Sequence, residues 1–343
     1  MKHNPVVVVT GASAGVGRAT ARAFAAKGAS VGLIARGSEG LERARCEVEE
    51  WGGQALVAPA DVADASAVEA AAEVIERQLG PIDVWVNNAM TSIFAPFEEI
   101  TPEEFRRVTE VNYLGYVYGT MSAIKRMRPR DSGVIIQVDS ALGHRSIPLQ
   151  SAYCGSKHAI IGFTDSLRCE LVEQHSKVRL AVIDMPALNT PQFGWVRSRL
   201  PHNAQPVPPI YQPEVAAEAI VWAAGHDRRE LRVGGMTLAA VFGQKFIPTP
   251  LDYYLGKTGY KSQQTDEPRD STRPDNLWTA IQEDRGAHGA FDAQARAYSR
   301  ALWAEQHRNM LAAAAGLSTF GAWTLARAAV RLVRGTGPAP GRR

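Results

Sequence analysis

The sequence has few cysteines, little net charge and no long run of like charges, and each shortage excludes a class of protein. Its 343 residues include three cysteines, without a CxxC pair or a His/Cys pair at metal-ligand spacing, so we expect neither a disulfide framework nor a metal site. The 38 basic and 35 acidic residues give a net charge of +3 and form no run of five like charges, so we expect no nucleic-acid partner. Nothing resembling a secretory signal precedes the first apolar run, so we expect a cytoplasmic protein.

Short apolar runs alternate with helical patterns through the first two thirds of the chain. The spacing of apolar residues in the intervening stretches is three to four, as in helices. The apolar runs are Val6–Val9, Ser30–Ala35, Ala55–Ala58, Ile82–Val86, Val134–Val138, Arg179–Ile183 and Glu230–Val233. This alternation predicts an α/β fold, a doubly wound Rossmann-type parallel sheet of about seven strands with helices on both faces.

An irregular segment, Pro186–Pro213, interrupts this alternation. It is rich in proline and arginine and contains the aromatic residues Phe193, Trp195 and Tyr211. Long irregular segments inside compact domains are often functional. We therefore predict a lid over a binding site, with a plain surface loop as the alternative.

The pattern changes again near residue 240, so we predict a catalytic domain over 1–240 and a C-terminal extension over 241–343. The polar, proline-bearing stretch Asp266–Asn276 predicts a linker or a surface segment, and Asp292–Arg308 predicts a helix. The last ten residues are expected to be disordered.

The extension also contains an uncharged apolar stretch, Met310–Ala326, which is followed by several arginines. Seventeen such residues are at the short end of what can span a bilayer, and many of them are alanine or glycine. Two interpretations remain open: a helix packed on the protein or on a partner subunit, and a peripheral membrane contact through residues 310–334.

A glycine-rich turn follows the first predicted strand and leads into an alanine-rich helix. A strand-to-helix turn of this kind can hold a pyrophosphate, because glycines allow the tight turn and the helix N-terminus offers free N–H groups. The predicted cofactor contacts in this turn are Gly11, Ser13, Ala14, Gly15, Val16 and Gly17. The G-x-x-x-G-x-G spacing differs from the usual G-x-G-x-x-G of dinucleotide-binding proteins.

The end of the second predicted strand indicates which dinucleotide is bound. An acidic residue at this position favours NAD, because it accepts hydrogen bonds from the ribose, whereas a basic residue favours the 2′-phosphate of NADP. Here the strand ends at Arg36, whose guanidinium can donate two hydrogen bonds to a phosphate. The sequence therefore predicts NADP(H), with a solvated surface arginine as the alternative.

Several motifs together resemble the short-chain dehydrogenase/reductase family over about residues 5–240. Tyr153 and Lys157 match its Y-x-x-x-K motif, Ser140 lies 13 residues upstream, and Asn112 resembles its helix asparagine. The order of the motifs along the chain is that of the family. The resemblance also implies cofactor contacts at Asp61, Val62, Asn88, Ala89, Tyr153, Lys157, Pro186 and Thr190.

The resemblance implies an NADP(H)-dependent oxidoreductase that transfers hydride between nicotinamide and a carbonyl or alcohol substrate. Tyr153 would be the general acid or base, and Lys157 would lower its pKa from the ordinary value of about 10. Ser140 would donate a hydrogen bond to the substrate oxygen, and Asn112 would anchor a water that links Lys157 to solvent.

The sequence departs from the family pattern near the expected nicotinamide site. Met90 and Ala187 occupy positions where the family has glycine, and Asp139 stands where family members often have a second serine. His144, His158 and Asp165, which are near the site in sequence, are interpreted as structural or solvated.

The family commonly pairs through the helices that hold Asn112 and Tyr153, so a homodimer or homotetramer is expected. The extension also resembles that of an uncharacterised bacterial subgroup, which implies no known substrate. The expected partner is a small-molecule carbonyl or alcohol substrate, mid-sized and fairly apolar. The alternative function is a non-catalytic NADP(H)-binding sensor or scaffold of the same fold.

Overall fold

The computed structural model describes residues 4–313. The strands are β1 (Val6–Thr10), β2 (Ser30–Ala35), β3 (Gln54–Pro59), β4 (Ile82–Asn87), β5 (Ile93–Phe94), β6 (Val134–Ser140), β7 (Arg179–Met185), β8 (Arg197–Ser198), β9 (His202–Ala204), β10 (Glu230–Arg232) and β11 (Gln264–Pro268). The helices are α1 (Gly15–Ala25), α2 (Ser38–Glu50), α3 (Ala65–Leu79), α4 (Pro102–Thr109), α5 (Gly115–Met127), α6 (Ser151–Glu173), α7 (Pro213–Gly225), α8 (Gly235–Phe246), α9 (Pro248–Ser262) and α10 (Arg300–Gln306).

Seven strands form one parallel sheet in the order β3-β2-β1-β4-β6-β7-β10. Each of the seven predicted apolar runs lies in one of these strands, which confirms the predicted Rossmann-type sheet. The strand order reverses between β1 and β4. In sheets of this kind, ligands bind at the carboxyl ends of the strands beside such a reversal.

Hydrophobic residues cover both faces of the sheet. Along β1, Val7 and Val9 belong to one buried cluster, while Val6 and Val8 belong to another on the opposite face. This alternation follows from the two-residue period of a strand. The sheet is therefore a central layer between two helical layers, as its apolar strands predict.

The described part of the C-terminal extension, residues 241–313, is packed closely on the body of the protein. The predicted boundary at residue 240 falls inside α8, and β11 pairs antiparallel with β9. The prediction of a linker over Asp266–Asn276 is therefore wrong in part, because its first residues belong to β11. The predicted helix over Asp292–Arg308 begins only at Arg300, after a single turn at Asp292–Gln294.

After β11 the chain crosses the carboxyl edge of the sheet; we call residues 273–292 the strap. Arg18 of α1 anchors the strap through Asp284 and also donates to Glu47 of α2 at 2.8 and 2.9 Å. The Arg18 side chain is 2 % exposed. The backbone N–H of Gly15 donates to the carbonyl of Gly286 at 3.1 Å. The strap is thus attached directly to the glycine-rich turn.

Among residues 4–313, no helix has the length and apolar character needed to cross a membrane. The predicted membrane contact through residues 310–334 lies mostly outside the described residues. The predicted disorder of the last ten residues also lies outside them.

Replacing Arg18 by methionine should lower the free energy of unfolding by about 3 kcal/mol, because Glu47 and Asp284 lose a buried cation. Urea denaturation of both proteins measures the change. The matched control is Arg45→Met, which removes an exposed arginine paired with Glu42 and Glu49 on α2. Exposed ion pairs contribute little, so its effect should be far smaller. Equal losses in the two variants would contradict the anchoring role of Arg18.

Candidate active site

A cavity of about 520 Å³ lies at the carboxyl edge of the sheet, between the strand ends, the predicted lid and the strap. It brings together the predicted site residues from the glycine-rich turn, the strand ends and helix α6. The predicted residues that line it are Gly11, Ser13, Ala14, Gly15, Val16, Arg36, Asp61, Val62, Asn88, Ala89, Ser140, Tyr153, Lys157, Pro186 and Thr190. Gly17 and Asn112 do not line it. A volume of this size is ordinary for a cofactor or ligand site.

The glycine-rich turn has the backbone geometry that a phosphate cradle needs. Gly11 and Gly15 have φ angles of +67° and +57°, which side chains disfavour. A Cβ at Gly11 would lie 2.8 Å from the Cα of Ala89, and one at Gly17 would overlap the carbonyl oxygen of Gly11. Gly17 therefore acts by letting α1 pack against the turn. The residues present fit a dinucleotide pyrophosphate at this turn.

Hydrogen bonds between Thr10 and Asn88 hold the glycine-rich turn against the end of β4. The Thr10 hydroxyl accepts from the backbone N–H groups of Asn88 at 2.9 Å and Ala89 at 3.1 Å. The Asn88 side-chain amide donates to the Thr10 carbonyl at 2.9 Å. These contacts set the distance between the two strand ends that flank the cavity.

The strap completes the end of the cavity at which Arg36 lies. The Arg36 guanidinium donates to the backbone carbonyls of Asn276 at 2.5 Å and Trp278 at 3.0 Å. It also lies 4.0 Å from the carboxylate of Asp61, which accepts a 2.5 Å hydrogen bond from Arg107. The sequence analysis missed this contribution of the strap, because no local pattern links residues 240 positions apart.

Ser140, Tyr153 and Lys157 meet at the opposite end of the cavity. The side chains of Ser140 and Tyr153 both line this end of the cavity. Lys157 is 2 % exposed, and its Nζ donates to the Val138 carbonyl at 2.7 Å and to the Tyr116 hydroxyl at 3.3 Å. A hydroxyl pair and a buried ammonium are therefore brought within one small region.

Burial decides the protonation of the two titratable groups. It raises the pKa of Tyr153 above its ordinary value, although the neighbouring Ser140 hydroxyl acts in the opposite direction. It lowers the pKa of Lys157 to about 8. Removal of the phenol from water is the main cause of the raised Tyr153 pKa. Nζ of Lys157 lies 5.7 Å from the centroid of the Tyr153 ring, and its lowering of the tyrosine pKa stays a prediction.

Asn112 has a structural position beside the cavity. Its side chain accepts from the Thr91 N–H at 2.8 Å and donates to the Thr91 carbonyl at 2.9 Å and the Ser156 hydroxyl at 3.2 Å. These contacts use both polar atoms of the Asn112 side-chain amide. They attach the π-helical turn Glu110–Leu114 to the segment after β4. Any water held for Lys157 would therefore need a group other than this side chain.

Tyr116 is a site residue that the sequence analysis missed. It follows Asn112 by four residues, it is fully buried, and its hydroxyl donates to the Val138 carbonyl at 2.8 Å. Burial raises its pKa well above the ordinary value for tyrosine. The spacing of four from Asn112 on a helical pattern was the signal that could have indicated it.

The predicted lid is ordered and packed in the described structure. Phe193 and Trp195 line the cavity, whereas Tyr211 is buried against the body. Helices α8 and α9 add further apolar groups that the prediction had not assigned. These are Met236, Ala239, Ala240, Leu251 and Leu255.

Among the described residues, one group of side chains has metal-ligand spacing: Asp139, His144 and Asp184, whose ligand atoms lie within 4.8 Å of one another. The two carboxylates already face cations, since Lys157 lies 4.0 Å from Asp139 and Arg232 lies 3.6 Å from Asp184. The cluster is thus balanced in charge by protein side chains.

Comparison with known proteins gives the family. Residues 5–199 match the model of the short chain dehydrogenase family. An uncharacterized oxidoreductase of Bacillus subtilis, YxnA, is 33% identical over 94% of this chain and 90% of its own length. An alcohol dehydrogenase of Thermococcus sibiricus, solved with 5-hydroxy-NADP, has a TM-score of 0.58 and 29% identity over 67% of this chain and 95% of that one. Actinorhodin polyketide ketoreductase with NADPH has a TM-score of 0.61 and 27% identity over 68% and 97%.

The chain belongs to the short-chain dehydrogenase/reductase family. It is an oxidoreductase that acts on CH–OH groups and uses a nicotinamide cofactor.

Replacing Thr10 by valine should lower the free energy of unfolding by about 2 kcal/mol, because two buried N–H groups lose their acceptor. NADPH should also bind more weakly, because the glycine-rich turn is no longer held to β4. Urea denaturation and NADPH fluorescence titration measure the two effects. Thr20→Val is the matched control, since Thr20 is 0 % exposed and its hydroxyl has no hydrogen-bond partner within the described residues. Similar losses of stability and NADPH affinity in both variants would contradict the role of the Thr10 hydroxyl in holding the glycine-rich turn to β4.

Proposed function

We propose that this protein is an NADP(H)-dependent dehydrogenase or reductase that interconverts a carbonyl compound and its alcohol through Ser140, Tyr153 and Lys157. The observation that carries the proposal is the convergence of these side chains and the glycine-rich turn in a single cavity. A protein that only bound the dinucleotide would not need the tyrosine.

The reaction divides between the cofactor and the protein. The bound nicotinamide supplies or accepts the hydride. In reduction, Tyr153 donates its phenolic proton to the substrate oxygen, and Ser140 donates a hydrogen bond to the same oxygen as negative charge develops there. Burial favours the protonated phenol of Tyr153, which is the form needed for proton donation. The ammonium of Lys157 stabilises the phenolate that remains.

Arg36 supports NADP(H) over NAD(H). It stands at the end of β2, where no carboxylate occupies the tip of the strand, and its guanidinium is oriented by the strap carbonyls. Burial lowers its pKa, but the guanidinium remains charged at neutral pH. The 5-hydroxy-NADP and NADPH bound by the two structural relatives support the same choice.

The apolar part of the cavity supports a fairly apolar substrate of moderate size. Phe94, Phe193 and Trp195 contribute aromatic surface, and helices α8 and α9 contribute aliphatic surface. Such a lining favours ligands that bury apolar area, at about 0.8 kcal/mol for each CH₂ group. We therefore propose aldehydes and ketones with a substantial hydrocarbon part.

Replacing Tyr153 by phenylalanine should reduce turnover at least about 100-fold while NADPH binding is retained, because the general acid is lost and the ring is kept. Absorbance at 340 nm, with NADPH and aldehydes and ketones of graded apolar length, measures turnover. Tyr118→Phe removes a half-buried tyrosine hydroxyl of α5 and serves as the control. Equal turnover in wild type and Tyr153→Phe would contradict the mechanism. Tight NADPH binding without turnover on the panel would favour a sensor or scaffold.

Replacing Arg36 by aspartate should weaken NADPH binding at least about 10-fold and leave NADH binding nearly unchanged, because the 2′-phosphate loses its cation and meets a like charge. Fluorescence titration with both cofactors gives the ratio of the dissociation constants. The control is Arg45→Asp, the same charge change at a position of α2 where the arginine is 38 % exposed and is paired with Glu42 and Glu49. If the ratio stays at the wild-type value in Arg36→Asp, Arg36 does not determine cofactor preference.

A further inference from the structure

The register of β6 and β7 places two buried carboxyl groups side by side near the proposed proton donor. Asp139 and Asp184 are direct neighbours in this parallel pair, and they are 2 % and 0 % exposed. Two adjacent buried carboxylates repel each other and are poorly solvated, so each needs compensation from nearby groups.

Asp184 is compensated on the side away from the cavity. His144 lies 3.0 Å from its carboxylate through Nε2, and Arg232 lies 3.6 Å from it. The Arg232 guanidinium also donates a 2.5 Å hydrogen bond to the carboxylate of Glu230. The hydrogen bond that the His144 ring donates to Asp184 is the main cause that raises the pKa of His144. Asp184 therefore has its own partners.

Asp139 faces the proposed catalytic side chains as well, and its carboxylate lies within 4.8 Å of the corresponding atoms of His144 and Asp184. Its Oδ1 lies 4.0 Å from Nζ of Lys157, and Tyr116 and Tyr153 are the other titratable groups of α5 and α6 that face it. No side chain within the described residues donates a hydrogen bond to either Asp139 oxygen. The backbone of Gly143 packs so closely that a Cβ there would overlap the carboxylate. The negative charge of Asp139 therefore acts on the Lys157 ammonium without being screened by a hydrogen bond from another described side chain.

We propose that Asp139 is a positioning residue for the reaction, and that its carboxylate keeps Lys157 in the ammonium form inside a site that would otherwise neutralise it. This inference rests on the proposed Ser-Tyr-Lys function. It assigns a role to an aspartate at a position where the family often has serine.

The electrostatic balance supports this role. Burial is the largest influence on Lys157 and lowers its pKa to about 8, and the charge of Asp139 is the largest influence that opposes it. Asp184 opposes it less strongly. Burial in turn raises the pKa of Asp139 to about 7. Without the Asp139 charge, the lysine would lose its proton at a lower pH.

The sign of the expected pH dependence follows from this balance. Activity that requires the ammonium is present below the pKa of Lys157 and is lost as the pH rises through it. Asp139→Asn removes the opposing charge at nearly constant volume, so the alkaline loss of kcat should move to lower pH. At pH 6.5 the lysine stays protonated, so kcat should stay within about threefold of wild type.

The experiment measures kcat and KM at saturating NADPH from pH 5.5 to 10 for wild type and Asp139→Asn. We expect the alkaline limb to shift down by about one pH unit or more, which lowers kcat about tenfold at pH 8.5. Asp139→Glu keeps the negative charge, so its alkaline limb should lie close to that of wild type. The control is Asp165→Asn, which removes an exposed carboxylate of the same helix as Lys157, bound to Arg168 and Arg229, and should leave the profile unchanged.

An unmoved alkaline limb in Asp139→Asn would overturn the proposal. Asp139→Ser is smaller and provides the same test if the asparagine variant does not fold. A rise in wild-type melting temperature with Mn²⁺ that Asp139→Asn abolishes would also overturn it, by showing a metal site. Full turnover by Tyr153→Phe, measured in parallel, would instead contradict the proposed function, so the two failures are distinguishable.

Discussion

The buried ammonium of Lys157 is the constraint on which the arrangement of this end of the cavity depends. Moving an ammonium from water into a protein interior costs several kcal/mol unless acceptors and counter-charges replace the water. The Val138 carbonyl, the Tyr116 hydroxyl and the Asp139 carboxylate come from β6 and α5, on either side of the lysine. The parallel pairing of β6 places Val138 and Asp139 beside the lysine. The turn before α5, which the Asn112 side chain holds in place, positions Tyr116.

Through the strap, the C-terminal extension forms part of the cavity wall. It holds Arg36 through the carbonyls of Asn276 and Trp278, and its Gly289 N–H donates to the Asn189 carbonyl at 3.3 Å near the other end of the cavity. Its attachment to Arg18 joins α1 and α2 to the same segment. The shape of the cofactor cavity therefore depends on residues far beyond the domain that carries the recognisable motifs.

The features that could be predicted from the sequence are those set by residues close together in the chain. Val6–Val9 and the other apolar runs signal buried strands by composition alone, and Tyr153 and Lys157 are one helical turn apart. The contact of Arg36 with Asn276 and the burial of Leu277 depend on the path of the strap, which polar, proline-bearing composition does not reveal. The direction of the Tyr153 pKa shift also required the structure, because the sequence does not show how completely the phenol is removed from water.

Two buried cations at this edge of the sheet show different ways of compensating charge. Arg18 donates short hydrogen bonds to the carboxylates of Glu47 and Asp284, an arrangement that holds one protonation state and fixes α1, α2 and the strap together. Lys157 instead faces Asp139 across 4.0 Å without a hydrogen bond, and burial brings both of their pKa values towards neutrality. A pair held by charge alone can change protonation with little movement of its atoms. That property suits a group beside a reacting tyrosine, whereas the geometry of Arg18 suits a group that holds the fold together.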